Sequence, residues 1–136
     1  MAQNRKLQDL VEPKYLKGGS IDRLTSGGIP IVYKLQFSIA GAGDTSVVVD
    51  RAFTVIDAWV QLDDAGTAGD TITVKGGSDV IMTAIDISSG GDKDIVRAAE
   101  LDDDHTGMTA GETLTATLAA GGDAPPCTVY VMGILS

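Results

Sequence analysis

The feature that most constrains this chain is a two-residue apolar period, broken by glycine or aspartate about every ten residues. The clearest run spans 29–39. Its odd positions are Ile29, Ile31, Tyr33, Leu35, Phe37 and Ile39; its even positions include Pro30, Lys34, Gln36 and Ser38. That alternation predicts a strand with one buried and one wet face. Pro30 belongs at its start or at an edge, because proline has no N–H to give to a ladder. Residues 45–50 are short and β-branched. Residues 71–75 alternate, as do 113–118, where Leu114, Ala116 and Leu118 face inward and the threonines outward. Residues 52–62 and 127–135 carry apolar groups on both faces and read as strands covered on both sides, with 127–135 central. Residues 80–87 and 95–101 are weaker candidates. No stretch has the 3.6-residue period of a long helix. The expected fold is all-β: a jelly-roll-like β-sandwich of short antiparallel strands with an extended N-terminal arm.

The connections have their own chemistry. A fragment recurs as Ala42-Gly43-Asp44-Thr45, Ala68-Gly69-Asp70-Thr71 and Ala110-Gly111-Glu112-Thr113, each just before a strand. Glycine supplies positive φ, the acid can bond nearby backbone N–H groups, and the β-branched threonine opens the strand. The unequal spacing of the copies excludes a solenoid repeat. Gly76-Gly77, Gly90-Gly91 and Gly121-Gly122 punctuate other connections.

A chain of 136 residues fits one domain. Its net charge of −9 is unevenly spread. Residues 1–24 carry five basic and three acidic groups, whereas the remainder carries five basic and sixteen acidic ones. Residues 1–28 therefore read as an arm with a glycine-rich hinge, and residues 29–136 as the sandwich domain. The arm holds too many apolar groups for a solvated tail, so it is expected to pack on its own domain or on a partner. Its candidate contact residues are Arg5, Lys6, Leu7, Leu10, Lys14, Tyr15, Leu16 and Lys17. The acidic domain argues against direct nucleic-acid binding. No apolar run is long enough for a membrane helix, and the first residues lack the apolar core of a secretory signal.

Chemical sites are sparse. Asp102-Asp103-Asp104-His105 is the densest polar cluster, but successive acids on an extended segment point in opposite directions, so a solvated loop is favoured over a cation site. Asp63-Asp64 and Asp92-Lys93-Asp94 read as solvated loops. The single cysteine, Cys127, cannot form an intramolecular disulfide and reads as a small buried hydrophobe. No serine sits in a hydrolase elbow, and no glycine-rich stretch has the Lys-Ser/Thr of a phosphate cradle. Asp57, inside an apolar strand, either faces solvent on a sheet surface or is buried at a subunit contact with a partner such as Arg51 or Arg97. Trp59 and Tyr130 read as core or subunit contact. Enzymatic chemistry, a cofactor and a metal are not expected.

Residues 31–135 resemble the small β-rich capsid decoration, or cement, proteins of tailed bacteriophages. The resemblance is carried by the apolar strand Phe53 to Leu62, by Asp70-Thr71-Ile72-Thr73-Val74-Lys75-Gly76-Gly77, and by Asp92 to Ala98 with Asp102-Asp103 after it. It continues in Thr109-Ala110-Gly111-Glu112-Thr113-Leu114 and the terminal Cys127 to Ile134. It implies a jelly-roll-like sandwich, a homotrimer at local three-fold positions, and contact with the major capsid protein on the outer surface of the shell. The apolar strands would supply the trimer contact, with Phe53, Val55, Asp57, Trp59, Tyr130 and Met132 as candidates. The arm has no counterpart in that pattern. A second possibility is a carbohydrate- or receptor-binding sandwich of a phage fibre or tail, which would need exposed aromatics lining a groove.

Overall fold

The computed structural model describes residues 31–136, which form two antiparallel sheets packed face to face. The arm expected for residues 1–28, with its eight contact candidates, lies outside the described residues, as do Ile29 and Pro30. The strands are β1 (Val32–Ile39), β2 (Gly43–Val48), β3 (Phe53–Leu62), β4 (Thr71–Gly76) and β5 (Asp79–Val80). They continue as β6 (Ile85–Asp86), β7 (Ile95–Arg97), β8 (Gly107–Met108), β9 (Thr113–Ala119) and β10 (Cys127–Leu135). No helix occurs among the described residues.

Sheet A has the order β1-β10-β3-β7, with β8 also on β3; sheet B has β2-β9-β4-β5, with β6 also on β4. The pairings are nested, β1 with β10, β2 with β9, and β3 with β7 and β8. The chain is one long hairpin rolled over on itself, the jelly-roll arrangement. β10 is central in sheet A, as its apolar sequence predicts.

The core lies between the sheets. Ile39, Phe53, Val60, Leu62, Val129 and Val131 from sheet A meet Ile72, Val74, Leu114 and Leu118 from sheet B. Ile81 and Ile87, from the connections beside β5 and β6, close one side of it. Each such side chain contributes roughly 1.5–3 kcal/mol by leaving water. The alternation expected for β1 is present: Tyr33, Leu35 and Phe37 pack on the core while Val32, Lys34, Gln36 and Ser38 stay exposed. β9 buries Leu114, Ala116 and Leu118, as expected. The weak signals at 80–87 and 95–101 become short strand pieces, because these segments bridge the two sheets instead of running along one.

Two of the three recurrent fragments build the same turn. In Thr67–Asp70 and Thr109–Glu112, the last residue's N–H bonds back to the threonine carbonyl, at 3.0 and 3.1 Å. Its carboxylate in turn accepts the threonine N–H, at 2.7 and 2.9 Å. Gly69 and Gly111 sit at φ +90° and +89°, the conformation a side chain would resist. Gly91–Asp94 repeats the design, with Lys93 in the positive-φ position at 66°. The fragment at 42–45 does not make this turn: Gly43 and Asp44 already belong to β2, and Asp44 accepts the Thr117 hydroxyl at 2.6 Å across to β9.

Asp70 is fully buried and also accepts the Gly121 N–H at 2.9 Å, tying the entry of β4 to the exit of β9. The Thr67 amide, above all, holds its carboxyl below the usual carboxylate range, outweighing the burial that pushes the other way.

Candidate interaction face

The outward face of sheet A is the most distinctive surface, and a bulge in β3 creates it. Opposite β10, Met132 pairs with Asp57 and Gly133 with Val55, so Ile56 has no partner. One extra residue reverses the in–out alternation along the rest of the strand. Before the bulge the odd positions point inward: Phe53 and Val55 are 0% and 3% exposed. After it the even positions do, with Ala58, Val60 and Leu62 buried and Asp57, Trp59 and Gln61 turned outward. The expectation of a strand covered on both sides is thus corrected: β3 has one core face, displaced by a step. Phe53 and Val55 are core residues and are removed from the candidate contact set. Asp57, Trp59, Tyr130 and Met132 share the outward face.

Gly133 permits the bulge. A Cβ there would strike the Phe53 ring and the Thr54 carbonyl. The close backbone approach leaves no room for a side chain.

The register aligns Tyr130 with Trp59, and Trp59 with Arg97. The two rings stack at 5.3 Å between centroids and 10° between planes. The Arg97 guanidinium lies 5.2 Å from the Trp59 ring, and the Lys34 ammonium 5.4 Å from Tyr130. Because the strands run β1-β10-β3-β7, the order across the sheet is Lys34, Tyr130, Trp59, Arg97. Each ring has one face on the other ring and its second face under a cation. The aromatic pair contributes roughly 0.5–1.5 kcal/mol and each exposed cation contact about 0.5–1 kcal/mol. Arg97 is fixed further by its ion pair with Asp57, one of the two partners the sequence offers for that carboxylate. This geometry presents ring edges to solvent. A sugar platform needs open ring faces, and these are taken.

Around the stack lie Met132 and Ile134 from β10, with Val32, Ile56 and Ile95 exposed at 61%, 43% and 60%. Gln36, Ser38, Gln61 and Thr128 form a polar surround. An apolar, aromatic centre with arginine, methionine and a polar margin is the composition of a protein contact. The charge is also distinct. Between residues 31 and 136 there are five basic and sixteen acidic groups, and this face carries two of the former and one of the latter.

The structure adds Lys34, Ile56 and Ile95 to the candidates. One signal for the bulge was in the sequence: Thr54 and Gln61 are both polar in one strand yet an odd number of residues apart, which straight alternation cannot place on one face.

The other sequence-level candidates remain separate. Asp102 Oδ2 accepts a hydrogen bond from His105 Nδ1 at 3.0 Å on an exposed loop. That bond, first, raises the imidazole pKa and lowers the carboxyl's. No group of three or more potential metal-ligating side chains converges among the described residues. Lys93 reaches Asp63 at 3.4 Å and Asp92 at 3.2 Å, an exposed network joining two loops. Cys127 is buried, and its burial, with Asp63 nearby, pushes the thiol up to about 11.

No family model, curated protein or solved structure matches the chain. The chemistry of the face itself must say what it can do.

Proposed function

We propose that this is a structural, non-enzymatic protein of a tailed-phage head, a decoration protein that binds the major capsid protein from outside as a homotrimer. The observation that carries the reading is the outward face of sheet A: rigid, apolar at its centre and the least acidic part of a strongly acidic domain. Copies of a domain with a surplus of eleven negative charges repel one another, so association favours the one face where cations outnumber carboxylates. The jelly-roll frame supports it by holding the face on central strands. Many copies on one symmetric shell turn a modest contact into firm attachment, and surface buried across neighbouring capsomers opposes rupture of the shell.

Two measurements test this. Light scattering on the purified chain should give the mass of three copies. Added to undecorated, expanded capsids, the protein should co-sediment saturably and raise their resistance to heat. Deletion of residues 1–24 tests the arm separately; unchanged capsid affinity would assign attachment to the sandwich domain alone.

A further inference from the structure

A closed ring of three copies cannot be built by pressing one patch against itself. It needs two different patches that fit each other. The face of sheet A supplies one, with two cations. The complementary one lies on the side of the sandwich farthest from β1 and β2. There the chain after β5 meets the chain after β7: Met82 bridges to Leu101, the Thr83 N–H reaches the Glu100 carbonyl at 3.0 Å, and the Asp102 N–H reaches the Ile81 carbonyl at 3.0 Å. These contacts leave a groove of about 300 Å³ lined by Val80, Met82, Thr83, Glu100, Leu101 and Asp102. Val80 and Leu101 lie in it beside Thr83, most of its exposed surface is polar, and its carboxylates continue into exposed Asp103 and Asp104.

We propose that a second copy of this chain occupies this groove, and that it does so through the outward face of its sheet A. The inference rests on the trimer of the proposed function and names both halves of its contact. The exposed Ile95 meets Val80 and Leu101, and Lys34 and Arg97 meet an acidic rim. The self-pairings are worse: face on face brings four cations together with only two carboxylates, and groove on groove gathers the carboxylates of both copies. Opposite charge across a contact selects the partner and fixes the register. The two patches lie on different sides of the sandwich, as a heterologous contact requires.

The test uses the full chain and charge reversal at exposed positions. One variant alters the face (Lys34→Glu with Ile95→Asp) and another alters the groove (Val80→Lys with Glu100→Lys). Circular dichroism confirms that each stays folded. In sedimentation velocity, each alone should dissociate with a constant raised by about tenfold or more. Combined in one chain, the four substitutions should restore association, because every contact then again joins groups of opposite charge. Groove variants that remain trimeric would overturn the inference and leave the decoration reading standing. Such a result would follow if the face met a different patch of the next copy, or if residues 1–24 filled the groove. Failure of the combined variant to associate would overturn it too. A wild-type chain that is monomeric at about 100 µM would overturn both the inference and the trimer.

Discussion

The two sheets share a core and differ in what they show the solvent. Sheet A presents the Lys34–Tyr130–Trp59–Arg97 stack among exposed isoleucine and valine. Sheet B presents Thr71, Thr73, Thr113, Thr115 and Thr117, with Ser46 bonded to Thr115 at 2.8 Å. Threonine suits a strand and leaves the surface wet, so the outer face of sheet B is polar except at its margins, where Val48 and Val80 are exposed. The sheets are also fixed differently. Sheet A is shaped by a bulge and the close approach at Gly133; sheet B is pinned at its ends by carboxylate-clamped turns.

The largest expected effect comes from removing the device that shapes sheet A. Gly133→Ala should destabilise by about 3 kcal/mol, because a Cβ meets backbone as well as the Phe53 ring. Urea unfolding measures it. A loss under about 0.5 kcal/mol would show that the bulge does not depend on this glycine.

The corresponding device for sheet B is Asp70. Asp70→Asn should lower Tm by on the order of 5–10 °C, because one of its donors would face an amide N–H₂ instead of an oxygen. The effect has a pH signature. The carboxyl pKa is depressed in the folded state, so its stabilisation is present above the unfolded value of about 3.9 and fades as pH falls through the folded value. The variant should therefore lose less stability than the parent over that acid range. Parallel acid limbs would remove Asp70 from the account.

Trp59→Ala addresses function more than stability. It should cost about 1–2 kcal/mol in unfolding and weaken self-association by about tenfold or more. Retained association would move the contact off sheet A. The matched change on sheet B, Thr115→Val, should stay within about 0.5 kcal/mol and leave association unchanged. If it weakens association as Trp59→Ala does, the contrast between the outer faces fails.

Much of this fold is legible in the sequence. Period-two runs locate β1, β4 and β9, and the threonine–glycine–acid turns announce two strand entries. The contact face is less legible for a definite reason. Alternation reports which residues share a face only while the strand stays in phase, and Ile56 breaks the phase. Phe53, Val55, Asp57 and Trp59 look equivalent by parity and are not. The turn at Gly91–Asp94 is hidden because Lys93 holds the position where glycine is expected. The groove is hidden because its walls, Val80 to Thr83 and Glu100 to Asp102, come together only through the nested pairing.

That nesting also sets a timetable. Val32 waits for Ile134 and Gly43 for Leu118, so the contacts that close the sandwich join segments far apart along the chain. Such topologies fold slowly, because chain entropy is spent before distant pairs reward it. β10 lies between β1 and β3 in sheet A, so sheet A stays split until residues 127–135 have been synthesised. During that interval the edges of β1 and β3 are open to other chains. The stack forms last as well, since Tyr130 arrives with β10. A nascent copy therefore presents the full stack only once β10 has been made and has docked between β1 and β3.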